Sequence, residues 1–175
     1  MKEHYSSIEP FPFVVIDDVL PPDLLKEVKD YAYSKLPFFE TGIHQHIIRS
    51  GPLQDRLEET FIKISERYGK ALFLDLATTD GFIFQLSCYN TVHTNYTEYE
   101  IHNDVPTKIA SLIIGLSDDG NLTEIYGTRR RDSFVYSPDW KPNRGIMFKR
   151  SDNSWHKVGE PLGTPRVTLS MIRIR

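Results

Sequence analysis

From residue 82 onward the sequence breaks into short runs of β-branched and aromatic residues, each closed by turn formers, and this limits the folds open to it. The runs are 82–89, 96–101, 109–116, 122–126, 133–136, 145–148 and 166–174. Asn90, Asp118-Asp119-Gly120, Gly127, Ser137-Pro138-Asp139, Pro142-Asn143 and the stretch 159–165 separate them. Many short strands at such spacing predict a sandwich or a barrel-like roll. Before residue 80 the pattern is different. Phe11-Pro12-Phe13-Val14-Val15-Ile16 predicts a strand, ended by Asp17-Asp18. Pro21-Pro22-Asp23 then opens a helix, because proline is tolerated in a first helical turn and an early Asp suits the N-terminal dipole. Leu24, Leu25, Val28, Tyr31, Ala32 and Leu36 recur at helical spacing until Pro37. A second helix carries Leu53, Leu57, Phe61, Ile64 and Tyr68 on one face. Residues 1–9 read as a polar lead-in, 38–52 as irregular, and 71–77 as a further short helix before an Asp80-Gly81 turn. Helices first and strands later predict an α+β, mainly β, layering in which the helices cover one face of a sheet. One domain is expected over 1–175, helical to about residue 80 and all strand from about 82.

Composition narrows the partners. The chain has 175 residues, 39% hydrophobic and 26% charged, enough apolar content for one buried core. Its net charge of −3 offers no broad basic field, so nucleic acid is not an expected partner. Arg129-Arg130-Arg131 reads as a solvated hairpin tip. Cys88, the only cysteine, excludes an intramolecular disulfide and a cysteine-based zinc site, and its apolar flanks suit a small core residue. No apolar run reaches the ~18 residues of a membrane span, and no apolar leader follows Met1. A cytoplasmic location without membrane contact is expected.

Chemistry concentrates in Tyr99-Glu100-Ile101-His102-Asn103-Asp104. In extended chain, residues two apart project from one face, so His102 and Asp104 point the same way and Asn103 points away. Such a pair supplies two ligands of a 2-His-1-carboxylate set; a surface loop with a satisfied histidine is the other reading. The only histidine further downstream is His156, in Asn153-Ser154-Trp155-His156. Three protein ligands on an octahedral metal leave room for a chelating 2-oxo acid and O₂. The far carboxylate of such an acid needs a planar cation, and Arg166 follows His156 on a run whose alternation aligns Arg166, Thr168 and Ser170. An exposed, polar-faced edge strand explains that alternation equally well. His44 and His46 carry no carboxylate at useful spacing, so structural or substrate-facing roles are expected for them.

Phe11-Pro12-Phe13-Val14-Val15-Ile16-Asp17-Asp18-Val19-Leu20-Pro21, the His102-Asn103-Asp104 motif with Lys108 after it, Asn153-Ser154-Trp155-His156-Lys157-Val158 and Pro165-Arg166-Val167-Thr168 occur in this order over nearly the whole chain. Together they resemble the 2-oxoglutarate- and Fe(II)-dependent oxygenases of the prolyl 4-hydroxylase-like superfamily. The resemblance implies a distorted double-stranded β-helix (a cupin-like jelly roll) with N-terminal flanking helices. It implies His102, Asp104 and His156 as iron ligands, Arg166 and Thr168 on the distal carboxylate of 2-oxoglutarate, and Tyr99 and Tyr89 near that co-substrate. The chain departs from the family at Asp119-Gly120-Asn121-Leu122-Thr123-Glu124, where a Gly-Gly-Glu or Gly-Thr element is usual, and it lacks the glycine-rich approach to His102.

The expected activity is O₂-dependent hydroxylation of an unactivated C–H, with succinate and CO₂ as co-products and ascorbate in support. Asp104 favours hydroxylation, or a demethylation triggered by it, over halogenation, because related halogenases lack this carboxylate. A free amino acid or other small molecule is the expected substrate, favoured by the compact chain. A peptidyl, prolyl-type hydroxylase and a non-catalytic jelly-roll binding module are the alternatives. His44, His46, Arg49, Asn90, Tyr96 and Trp155 are the candidate substrate-pocket residues.

Overall fold

The computed structural model describes residues 1–37, 40, 42–75, 77, 81–90, 100–159 and 165–175. In chain order these form strands β1 (Lys2–Ser7) and β2 (Phe13–Asp17), helix α1 (Pro22–Lys35), β3 (Gly42–Ile48) and helix α2 (Pro52–Tyr68). There follow β4 (Gly81–Asn90), β5 (Lys108–Gly115), β6 (Thr123–Tyr126), β7 (Phe134–Tyr136), β8 (Gly145–Lys149), β9 (His156–Val158) and β10 (Arg166–Ile174). The larger sheet runs β1-β2-β8-β5-β10-β4-β3 and the smaller β7-β6-β9, with antiparallel pairing throughout both. This is the mainly β architecture, with two helices, that the alternating runs require.

Each helix buries a stripe on the larger sheet. Leu24, Val28 and Ala32 of α1 and Leu57, Phe61, Ile64 and Tyr68 of α2 pack in one core with Phe84, Leu86, Leu112, Val167, Leu169 and Met171. Fully burying each large apolar side chain contributes about 1.5–3 kcal/mol. Strand alternation sends the other side chains between the sheets, where Phe11, Phe13, Val15, Ile125, Ile146 and Phe148 form a second core. On β10 the partition is plain. Val167, Leu169 and Met171 face the helices, while Arg166, Thr168, Ser170 and Ile172 line a cleft on the opposite face.

Several expectations need correction. Residues 2–7 are a strand, not a loose lead-in; β1 pairs with β2 from Lys2↔Asp17 to Ser7↔Phe13, although its side chains are largely exposed. With no buried face it has no apolar period to read. The irregular stretch 38–52 contains β3, an edge strand whose alternation is masked by polar residues on both faces. The first 80 residues are therefore not only helical. Residues 71–73 form turns where a short helix was expected, and Glu100 and Ile101 lie outside any strand. Asp80 and residues 96–99 fall outside the described residues.

Asn143 ties the turn after β2 to the entry of β8. Its side chain accepts from Leu20 N–H (2.8 Å) and donates to Leu20 C=O (2.9 Å), while its backbone bonds Val19 and Gly115. It is buried and sits at φ 63, a left-handed conformation that asparagine tolerates better than other side-chain-bearing residues. Asn143→Ala therefore loses both side-chain bonds and strains the backbone, costing about 3 kcal/mol, whereas Asn143→Gly relieves the strain and costs about 1 kcal/mol less. Urea unfolding of the two variants checks this; a glycine variant less stable than the alanine one contradicts it.

Candidate metal centre

Two backbone hydrogen bonds build the site. His102 N–H donates to His156 C=O (2.9 Å) and His156 N–H donates to His102 C=O (2.8 Å), an isolated antiparallel bridge. Residues paired this way project to the same side. The two imidazoles accordingly lie with ring centroids 4.6 Å apart. Asp104 is two residues further along extended chain and joins them. Asn103 turns away, its Nδ2 donating to Asp152 C=O (3.0 Å). Arg150 Nε holds the Asp104 carbonyl (3.0 Å), fixing the backbone behind the carboxylate. One ligand atom from each of His102, Asp104 and His156 lies within 4.8 Å of the others.

The ring orientations suit a donor set. His102 Nδ1 lies 3.0 Å from Glu100 C=O, and His156 Nδ1 lies 2.8 Å from Ser154 C=O. A carbonyl only accepts, so each Nδ1 carries the proton and each Nε2 keeps a lone pair. Such outer hydrogen bonds are what orient metal-bound histidines. Asp104 Oδ2 accepts from Ser111 Oγ (2.9 Å) and Oδ1 from Lys108 Nζ (2.5 Å). Burial works against the Asp104 charge, but His156, Lys108 and the Ser111 hydroxyl outweigh it and hold the carboxyl below its ordinary range. Lys108, which the sequence left without a role, is thus the cation beside the carboxylate. Two imidazoles held through Nδ1 and one carboxylate match the facial set preferred by Fe(II) with open positions.

The site opens onto a cleft of about 330 Å³ between the sheets. At one end stand Arg166, Thr168 and Tyr89. Arg166 is buried, its Nε donates to Asn121 C=O, and its guanidinium carbon lies 4.9 Å from the Tyr89 ring centroid. Towards β3, strand register aligns Ile113, Ser170, Gln85 and Ile47 in one row across the floor. That row spans about 14 Å at ordinary strand spacing. Gln45, Ile83 and Ile172 complete this wing. Among the described lining residues its side chains are uncharged, the charges being Asp104, Lys108, Lys157 and Arg166.

Not all the candidate pocket residues meet here. His44 and His46 project from the opposite face of β3, where His46 Nε2 lies 3.1 Å from the Tyr31 hydroxyl of α1. Gln45 and Ile47, between and beside them, face the cleft instead. Arg49 is exposed just past β3, and Trp155 is half-buried and not part of the lining. Tyr96, Tyr99 and the Asn90 side chain fall outside the described residues. Gln85 and Ser111 went unread, although each alternates with buried apolar neighbours (Phe84 and Leu86, Ala110 and Leu112) that mark the helix-facing side.

Burial against Phe148, whose ring centroid is 4.7 Å away, pushes the His156 imidazole down to about 4, despite Asp104 beside it. Between about 4 and the ordinary 6.5, the unfolded chain binds a proton that the folded one does not. Stability of the metal-free protein therefore falls as pH drops through that window, by on the order of 2–3 kcal/mol. The Asp104 contribution has the lowered-carboxylate sign and is lost only below its ordinary 3.8. Urea unfolding at pH 7 and 4.5 is expected to give a markedly smaller pH effect for His156→Leu than for wild type; equal slopes contradict the assignment.

Neither a family model nor a curated protein sequence matches the chain. Solved structures do. A prolyl-4-hydroxylase of Pseudomonas putida superposes with a TM-score of 0.67 at 15% identity, over 93% of this chain and 92% of that one. A Trichoplax adhaerens prolyl hydroxylase, solved with a hypoxia inducible factor oxygen degradation domain peptide fragment, gives 0.68 at 15% identity over 93% and 83%. A viral collagen prolyl hydroxylase from Paramecium bursaria Chlorella virus-1, solved with 2-oxoglutarate, gives 0.62 at 15% identity over 93% and 96%. The chain has the double-stranded β-helix fold of prolyl-4-hydroxylase-like oxygenases.

Proposed function

We propose that the protein is an Fe(II)- and 2-oxoglutarate-dependent hydroxylase. The observation that carries this reading is one cleft holding both a two-histidine, one-carboxylate donor set and a buried arginine at its far end. His102 and His156 would hold iron through Nε2, and Asp104 through a carboxylate oxygen. Arg166 and Thr168 would take the distal carboxylate of 2-oxoglutarate, with Tyr89 against the guanidinium. Bound iron with 2-oxoglutarate and O₂ supplies the oxidation that turns an unactivated C–H into an alcohol, with succinate and CO₂ as co-products.

The chain's own contribution is placement and exclusion of water. The Glu100 and Ser154 carbonyls tie both Nδ1 atoms and leave the Nε2 atoms for the metal. Ser111 and Lys108 hold the Asp104 carboxylate against rotation. Phe148 and Ile113 keep the floor apolar beneath it. Arg166, fixed through Nε to Asn121, sets the depth at which a five-carbon diacid stops.

For the substrate, a peptide is better supported than the free amino acid favoured by chain size alone. A free amino acid brings an ammonium group, and Asp104 is the only carboxylate among the described lining residues. Gln45, Gln85 and Ser170 instead offer uncharged donors and acceptors that suit main-chain amides. Similarity to prolyl hydroxylases, one of them solved with a peptide fragment, points the same way.

Two measurements test the reading. Adding 2-oxoglutarate to the Fe(II)-loaded protein without oxygen is expected to produce a weak visible absorption band that Asp104→Ala and His156→Ala lack. Arg166→Leu should retain iron but weaken 2-oxoglutarate binding by on the order of 100-fold, since a buried charge-assisted pair is lost. With oxygen, succinate release should rise with proline-containing peptides and not with free amino acids. No oxygen-dependent succinate with either class would favour a binding module.

A further inference from the structure

Trp140, in the loop between β7 and β8, was in no candidate set. Its indole occupies a slot that two glycines leave open. A Cβ added at Gly115 would lie 2.9 Å from Trp140 Cη2 and Cζ2, and one at Gly120 would lie 3.0 Å from three atoms of the same ring. Real Cβ atoms do not come as close as the first and rarely as close as the second, so both glycines make room for the six-membered ring. The indole Nε1 donates to Ser117 C=O (3.0 Å), which fixes the ring in its plane. The loop between β5 and β6, which carries Ser117 and Gly120, also supplies the Asn121 carbonyl that accepts from Arg166 Nε. Arg166 Cζ lies 5.8 Å from the Trp140 ring and 4.9 Å from the Tyr89 ring, both within cation–π range.

From this arrangement we infer that Trp140 is a positioning residue for Arg166. With Tyr89 it fixes the plane of the guanidinium fork, and so sets the selectivity of the cleft for a 2-oxo acid with a second carboxylate. A buried arginine has many rotamers along its stem. The Asn121 carbonyl holds Nε, and the two aromatic rings lie within reach of the guanidinium plane. Substitutions at Trp140 leave the three donor residues untouched, because the indole contacts the loop and the arginine instead. The departure from the family pattern at 119–124 acquires a role here: Gly120 makes space for the ring and Asn121 holds the cation. This inference rests on the proposed co-substrate.

The test uses the full chain loaded with Mn(II) and two probes followed by calorimetry, 2-oxoglutarate and oxalate. Both chelate the metal, but only the first has a distal carboxylate to reach Arg166. Trp140→Leu should weaken 2-oxoglutarate binding about tenfold while leaving oxalate within about twofold. Gly115→Ala, which pushes the indole out without altering it, should give the same selective loss, and Trp140→Phe should keep most of the preference. Full retention of 2-oxoglutarate affinity in Trp140→Leu overturns the inference alone, as does an equal loss for both probes, which marks a structural role. Should Trp140→Leu fail to fold, Gly115→Ala and Trp140→Phe decide by the same ratio. Wild type that does not bind 2-oxoglutarate overturns the co-substrate reading and this inference together.

Discussion

The reciprocal backbone pair between His102 and His156 is the contact on which the rest of the site depends. It is one bridge wide, yet it brings two segments far apart in sequence to hydrogen-bonding distance and decides which way both rings project. Strand β9 reaches it by pairing with β6, through Ile125↔His156, so the smaller sheet anchors one histidine. The larger sheet anchors the carboxylate, through Ser111 of β5. The donor set thus straddles the two sheets, and their separation sets its dimensions.

Electrostatics reinforces that geometry. An isolated carboxylate as buried as Asp104 would prefer to be neutral. Lys108 and Ser111 keep it charged, and a bound cation would find an acceptor already ionised and oriented. Burial meanwhile keeps His156 neutral through the physiological range, with its outer nitrogen tied to a carbonyl. Both effects prepare ligands in the protonation states that metal binding demands. Arg166 stands at the other end of the cleft from this carboxylate, so the two charges do not pair.

Much of this was legible in the residues, and the remainder was hidden for identifiable reasons. The two helices were readable because Leu24, Val28 and Ala32, and Leu57, Phe61 and Ile64, keep a 3.6-residue period against one sheet face. Strand β10 was readable because its polar and apolar residues alternate without exception from Arg166 to Met171. Strand β1 was not, because it buries no side-chain face and is held by main-chain pairing and by surface contacts of Tyr5 and His4. In β3 the histidines drew attention to the wrong face: His44 and His46 look attractive as chemistry, while the cleft is lined by their neighbours Gln45 and Ile47. Trp140 could not be found by motif at all. Its relation to Gly115, Gly120 and Arg166 exists only once two loops and two strands are folded together.

The central claim is that His102, Asp104 and His156 bind one metal ion through the two Nε2 atoms and one carboxylate oxygen. Anomalous diffraction at the iron edge, from crystals grown with Fe(II) under anaerobic conditions, tests it most directly. The account predicts a single strong peak about 2.1 Å from both Nε2 atoms and one Asp104 oxygen, with the Nδ1 bonds to Glu100 and Ser154 intact. A peak elsewhere, or ligation through either Nδ1, would contradict it.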